Sequence, residues 1–187
     1  WLPDHLAINL PDSAASPLSL VVELYEIGGQ TRLVRRLGTL QPDGTFALQT
    51  PNFELPDGLV GEIANFANQI GLRGYTLSQT NDALTLTLAW EALAPIPANY
   101  TRFVHLIGPE DGPPLAQADS FPQGNSYPTS QWTPGEIVVE TVTLPLTDIP
   151  RGSYQLALGF YENLGDSFPR LPVGSADSYI LPETVTK

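Results

Sequence analysis

The sequence predicts an all-β protein built as an antiparallel β-sandwich, of either the immunoglobulin-like or the jelly-roll kind. Three observations support this prediction. Short runs alternate between apolar and polar residues, 19 Pro and 16 Gly break the chain into short pieces, and no long stretch keeps the apolar period of an α-helix. With 187 residues, 42% of them hydrophobic, the chain is long enough for one large sandwich or for one and a half smaller ones.

The first part of the chain carries short strand patterns with turn residues between them. We predict strands over residues 5–10, 18–26, 31–37 and 45–50. Gly28-Gly29 predicts a tight hairpin between the second and third of these strands, and Pro42-Asp43-Gly44 predicts a turn before the last. We therefore expect this part to form antiparallel strands joined by tight turns.

The second part carries the longer and clearer strand patterns. We predict strands over residues 70–77, 83–91, 100–107, 115–120, 136–144, 153–162 and 178–181. Gly71 and Gly74 predict a bulge or bend in the first of them. In the second strand, alternation puts every even-numbered residue from Leu84 to Trp90 on one face, which we expect to face the core.

Two pairs of similar segments, in the same order, indicate an internal repeat. Trp1-Leu2-Pro3 resembles Trp132-Thr133-Pro134, and residues 20–26 resemble residues 156–162. On this pattern, residues 1–60 form a partial β repeat, the C-terminal half of a sandwich unit. Residues 66–187 form a complete β-sandwich unit, and the two pack either separately or as one body. The alternative is a coincidence between two apolar strands.

The charge balance narrows the classes of partner. The chain has 8 Lys and Arg residues against 20 Asp and Glu residues, which gives a net charge of −12 at pH 7. Such a surface repels phosphate backbones, so we exclude nucleic acid as a partner. A cation, or a neutral polar partner such as a glycan, is electrostatically easier to bind.

Two residue types are missing from the sequence. Because there is no Cys, a disulfide, a thiolate metal site and a Cys nucleophile are excluded. Because there is no Met, even at position 1, we expect the chain to be a piece cut from a larger protein. The sequence contains no run of about 18 apolar residues that would predict a membrane-spanning helix.

Aromatic rings that could stack on sugar rings are the most specific binding feature of the sequence. The candidate ligand-binding residues are Tyr127, Trp132, Tyr100 and Phe121, with Tyr161 as a further aromatic. Tyr127 and Trp132 lie in the long loop over residues 121–135, and loops often carry binding residues. The alternative for Trp132 is structural, with its ring folded back as a lid on the end of the core.

The other chemistry-bearing residues do not form a recognisable centre. His5 and His105 are the only histidines, and no local spacing adds the further ligands that a zinc site needs. Turn carboxylates at Asp111, Asp166 and Asp177 leave a bound calcium ion as an alternative. We therefore predict no catalytic residue, no metal site and no cofactor, and we expect that the chain is not an enzyme.

Several motifs occur in the order found in one family of known proteins. The motifs are residues 84–90, Phe103-Val104-His105-Leu106, the stretch 127–135, Gly152-Ser153-Tyr154 and Gly159-Phe160-Tyr161. In this order they resemble the extracytoplasmic β-sandwich domains at the C-termini of bacterial membrane proteins of the dolichyl-phosphate-mannose-type glycosyltransferase kind. Such domains are common in filamentous phototrophic bacteria. The resemblance covers residues 66–172 and part of the first segment, and it brings no catalytic residue with it.

The resemblance implies a location outside the membrane, at the cell envelope or the extracellular face, and attachment to a sugar-transferring or envelope-building protein. We therefore expect a non-catalytic, extracytoplasmic accessory module of a larger membrane-associated protein, and one that binds carbohydrate. The alternative is a structural or protein-interaction domain that mediates tandem packing or dimerisation. Its partner would then be the rest of its own membrane-anchored chain or a second copy.

Overall fold

The computed structural model describes residues 18–25, 31–41, 43–59, 64–110 and 112–187. The fold is nearly all β, with three open antiparallel sheets, and the predicted sandwich-like fold class is confirmed. The chain divides into two compact units, Trp1–Thr50 and Pro51–Lys187, which we call the first and the second unit. The repeat relation between the two parts of the chain stays a prediction, because residues 1–17 lie outside the described residues.

The first unit contains one three-stranded antiparallel sheet. Its strands, in sheet order, are β1 (Leu18–Tyr25), β2 (Thr31–Leu40) and β3 (Phe46–Leu48). Phe46 and Leu48 lie on the same face of β3 because their spacing is two residues, and both side chains are exposed, by 46% and 71%. The strand predicted over residues 5–10 lies outside the described residues.

The second unit contains two antiparallel sheets. The four-stranded sheet has the order β4 (Ala64–Phe66), β5 (Ile70–Gln79), β6 (Ala83–Ala92) and β9 (Ile137–Pro145). The five-stranded sheet has the order β11 (Tyr179–Ile180), β10 (Ser153–Glu162), β7 (Tyr100–Ile107) and β8 (Ala116–Ser120), and β12 (Val185–Thr186) also pairs with β10. Strands β7 and β10 have the bounds that the sequence predicted.

The predicted bulge in β5 is confirmed. The pairing of β5 with β6 shifts by one residue between Leu72 and Gly74, so that Arg73 is the extra residue. Strands β4 and β12, of three and two residues, were not predicted.

The core of the second unit is formed by the apolar faces of its two sheets. The even-numbered side chains of β6 from Leu84 to Trp90 are fully buried, as alternation predicted. The rings of Phe66, Trp90 and Phe160 meet edge to face, with centroids 4.8–6.1 Å apart. This packing fixes which face of β10 points inward and which points outward.

The long loop over residues 121–135 contains two short ordered turns. The first is a one-turn segment, α1 (Pro122–Asn125), in which Gln123, Gly124 and Asn125 have φ values of 52°, 64° and 68°. The second is a 3₁₀ turn at Thr129–Gln131. Among the described residues, no helix is long and apolar enough to cross a membrane.

Candidate functional site

Three of the four predicted ligand-binding residues lie inside the core. Tyr127 and Trp132 are each 2% exposed, and Tyr100 is 6% exposed. A ring in this position does not present its face to a sugar, so the expectation that these three rings stack on a ligand has no support from the geometry. The burial of Trp132 agrees instead with the alternative interpretation, in which its ring closes the end of the core.

Hydrogen bonds explain why the predicted binding loop folds inward. The Tyr127 hydroxyl lies 2.9 and 3.1 Å from the two carboxylate oxygens of Glu136, which is itself 2% exposed. The backbone amide of Thr133 donates to the same carboxylate at 2.8 Å, and the Trp132 indole donates to the Tyr127 carbonyl at 3.2 Å. Because these polar groups satisfy one another, the loop can be buried without a large desolvation penalty.

Thr129 ties this loop to the start of β7. Its hydroxyl accepts a hydrogen bond from the backbone amide of Tyr100 and donates one to the carbonyl of Ala98, both at 2.8 Å. One side chain therefore supplies a donor and an acceptor to two backbone groups at the start of a strand. The loop is a structural part of the sandwich rather than an open binding loop.

A buried ion pair joins the two sheets and was not predicted from the sequence. The Glu140 carboxylate on β9 accepts hydrogen bonds from the Arg102 guanidinium on β7 at 3.1 and 3.4 Å and from the Trp90 indole at 2.8 Å. The backbone amide of Gln123 donates to it at 3.0 Å. Arg102 also donates to the Ala118 carbonyl on β8 at 2.6 Å, so this pair fixes β8 and β9 against β7.

The outer face of the five-stranded sheet, the side that points away from the core, carries a group of aromatic and charged side chains. Strand register sets their positions: Phe103 on β7 is opposite both Asp119 on β8 and Gly159 on β10. Two residues before Phe103 on β7, Thr101 is opposite Tyr161 on β10. Tyr161 also forms an antiparallel backbone bridge with Arg170. We call the group formed by Phe103, His105, Asp119, Tyr161, Phe168 and Arg170 the outer-face cluster.

Phe103 is the most deeply buried residue of the outer-face cluster. A Cβ atom built on Gly159 would come within 2.5 Å of a ring carbon of Phe103, so the ring occupies the space that only glycine leaves there. The Arg170 guanidinium lies 4.6 Å from the centre of the same ring, and the His105 ring lies 4.7 Å away. Phe103 is therefore fully buried although it lies outside the core.

Tyr161 and Phe168 form the open part of the outer-face cluster. Their ring centroids are 5.7 Å apart and their planes are nearly perpendicular, at 86°. Tyr161 is half-buried, whereas Phe168 is 55% exposed. A backbone hydrogen bond of 3.0 Å from Glu162 to Pro169 closes the hairpin that carries Phe168, so the exposed ring is held on an ordered turn.

Charged groups surround these rings. His105 Nε2 lies 3.0 Å from Asp119 Oδ1, and Arg170 donates to Asp177 at 3.3 Å. The pKa of Tyr161 is raised from its ordinary value, first because burial disfavours the phenolate and second because the Asp119 carboxylate is close. The cluster therefore combines ring faces with hydrogen-bonding groups of both charges.

Phe121 is the predicted site residue that remains compatible with this surface. It follows the last residue of β8, its backbone is extended with φ −61° and ψ 147°, and it is half-buried. Alternation along β8 places it on the same side of the strand as Asp119. Tyr161 is also an aromatic candidate in the sequence, but local composition connects neither residue with the face of a sheet.

Other parts of the described chain offer weaker sites. A polar cleft of about 410 Å³ is lined by Gln79, Asn81, Asp82, Arg151, Thr186 and Lys187. It has no aromatic wall, and the Lys187 ammonium is already bound to the Asn81 carbonyl at 2.7 Å. In the part of the chain that the structure describes, no three carboxylate or imidazole groups come together to hold a metal ion. Asp111, one of the calcium candidates, lies outside that part.

Comparisons with models of protein families, with curated protein sequences and with solved structures gave no match to this chain.

Proposed function

We propose that this chain is a non-catalytic, extracytoplasmic accessory module of a larger membrane-associated protein and that it binds carbohydrate on the outer face of its five-stranded sheet. The observation that carries the binding proposal is the Tyr161–Phe168 pair, in which an exposed ring is held on an ordered hairpin beside charged groups. The proposed location and attachment rest on the family resemblance of the motifs quoted above.

Sugar recognition needs an apolar face and polar neighbours in the same place, because a pyranose ring has an apolar side and a rim of hydroxyl groups. Phe168 offers an apolar ring face that is open to solvent, and Tyr161 forms the wall next to it. Asp119, His105 and Arg170 offer acceptors and donors on the same face. Tyr127 and Trp132 of the predicted binding loop offer neither feature, because both rings are in the core.

The binding proposal is tested by screening the wild-type chain on a glycan array and then comparing variants by calorimetry with the best ligand found. We expect Phe168→Ala to weaken binding roughly tenfold, because an aromatic contact contributes about 0.5–1.5 kcal/mol beyond its buried area. Phe168 is largely exposed, so the variant should keep the thermal stability of the wild type.

Leu164→Ala is the matched control for this experiment. Leu164 lies in the same hairpin and is 58% exposed, but it has no ring to stack on a sugar. Unchanged affinity in Leu164→Ala together with weakened affinity in Phe168→Ala supports the proposed site. If the wild type binds no glycan on the array, or if both variants lose affinity equally, the proposal is wrong.

Exposed apolar side chains in the first unit favour a second candidate function, protein interaction. Phe46 and Leu48 expose 46% and 71% of their side chains on one face of a short strand. Exposed neighbouring apolar side chains are typical of surfaces that meet another protein. A protein-interaction module would show a concentration-dependent increase in mass in light scattering, and Leu48→Glu would abolish it.

A further inference from the structure

The outer-face cluster already holds one positive charge of the chain itself. The Arg170 guanidinium lies 4.6 Å above the centre of the Phe103 ring and donates to the Asp177 carboxylate at 3.3 Å. A ring face attracts a cation through its quadrupole, and the carboxylate adds a Coulomb attraction. This face of the sheet therefore combines the two groups that bind a cation.

The same combination occurs at the open end of the cluster. Asp119 is opposite Phe103 in the sheet, and the Phe103 ring stacks on Tyr161 with the two ring centroids 6.3 Å apart. Phe168 stands edge-on to Tyr161 with more than half of its side chain exposed. The whole chain adds a negative field, because its 20 acidic residues outnumber its 8 basic ones. The exposed ring and the Asp119 carboxylate are two groups that attract a positively charged ligand.

We propose that the glycan bound by the outer-face cluster is an amino sugar with a free, protonated amino group, which lies against Phe168 and Tyr161 and is paired with Asp119. This inference rests on the function proposed above and specifies its class of ligand. The ammonium group would make a cation–π contact with the rings and an ion pair with the carboxylate. N-acetylation removes the charge and therefore removes both interactions.

The test compares two oligosaccharides of equal length that differ only at nitrogen, β-1,4-linked glucosamine and β-1,4-linked N-acetylglucosamine. Binding is measured by calorimetry at a pH at which the amine is protonated. We expect the wild type to bind the amine oligosaccharide about fivefold more tightly, because an exposed cation–π contact and an exposed ion pair each contribute up to about 1 kcal/mol. The preference should decrease when the salt concentration is raised.

Asp119→Asn removes the carboxylate charge with almost no change of shape, and it should reduce the preference to about twofold or less. Asp148→Asn is its control, because it makes the same charge change at an exposed turn after β9. This turn lies near the start of β10, whereas Tyr161 lies near the end of that strand. The preference should persist in this control. A preference that both variants lose equally would reflect the overall charge alone and would overturn the inference.

The remaining outcomes separate the two proposals. If the wild type binds both oligosaccharides with equal affinity and Phe168→Ala weakens both, the carbohydrate-binding site stands and the amino-sugar inference is wrong. If the wild type binds the amine oligosaccharide but Phe168→Ala binds it equally well, the binding lies elsewhere and both proposals fail. If the wild type binds neither, and no glycan on the array, both proposals fail as well.

Discussion

Replacing Glu140 with Gln should destabilise the second unit strongly, because the carboxylate is the centre of a buried network. Its side chain is 2% exposed, and that of its partner Arg102 is 4% exposed. The oxygens of Glu140 accept hydrogen bonds from the Arg102 guanidinium, the Trp90 indole and the Gln123 amide. All of these groups are donors, so the NH₂ group of a Gln side chain would face another donor whichever way it turned.

The expected loss is about 3–5 kcal/mol, the range measured when one partner of a buried ion pair is removed and the other charge stays buried. Each kcal/mol lowers the melting temperature by roughly 2–4 °C in a domain of this size class, so Glu140→Gln should lower it by roughly 6–20 °C. The assay is urea unfolding followed by Trp fluorescence, since the Trp90 indole touches the altered group directly. Adding Arg102→Met should restore part of the loss, with a coupling energy of about 1–3 kcal/mol.

Glu91→Gln provides the matched control for this experiment. Glu91 pairs with Arg73 at the surface, where the two side chains are 18% and 41% exposed. The same chemical change should cost at most about 1 kcal/mol there, because water replaces the lost partner. If Glu140→Gln were no more destabilising than Glu91→Gln, the argument from burial would be refuted.

Three further predictions concern the packing and protonation of aromatic side chains. Gly159→Ala should cost about 1–3 kcal/mol in urea unfolding, because its new methyl group overlaps the Phe103 ring, and wild-type stability would contradict that geometry. Tyr127→Phe should cost about 1–3 kcal/mol in the same assay, because it removes a hydrogen-bond donor from the buried Glu136 carboxylate. In an ultraviolet titration, Tyr161→Phe should remove a phenol that ionises above the ordinary pKa of 10.0. Since the folded-state pKa is raised, the stability contributed by the neutral phenol is present below pH 10.0 and is lost as the pH rises through the folded-state pKa.

The strands of the sandwich could be predicted because their signals are local. Alternation of apolar and polar residues defines β6, β7 and β10, and Pro, Gly and Asn residues mark their ends. The bulge in β5 could be predicted for the same reason, since Gly71 and Gly74 lie within the strand itself. No contact between distant residues was needed for any of these conclusions.

The fate of the loop over residues 121–135 could not be predicted in this way, because it depends on residues far away in the sequence. Thr129 joins the loop to the backbone of Ala98 and Tyr100, which lie about 30 residues earlier. Local composition showed only a Pro-rich segment with three aromatic residues, and such segments occur both in binding loops and in core lids. The position of Trp132 at the entry to a strand, and the matching Trp1 in the predicted repeat, favour the core lid, but they name no partner for the loop.

The buried ion pair, by contrast, has a signal in the sequence. Arg102 is in phase with Val104 on β7, and Glu140 is in phase with Val138 and Val142 on β9, so alternation places both charges on the faces that point into the core. A charge in that position is costly unless it is paired. When alternation places an acidic residue of one strand and a basic residue of another on the side that faces the core, the two are therefore expected to pair.

Alternation along the strands also distinguishes aromatic residues that lie outside the core. Phe103 alternates with Arg102 and Val104, and Tyr161 follows the core residue Phe160, so both lie on the phase that points away from the core. The Phe103 ring is covered there by Arg170, which explains its burial without a ligand. Tyr161 remains half-buried beside an exposed Phe168, so the chain itself covers only part of this surface. An aromatic residue on the outward phase of a strand is therefore a sharper indicator of a binding face than one in a Pro-rich loop.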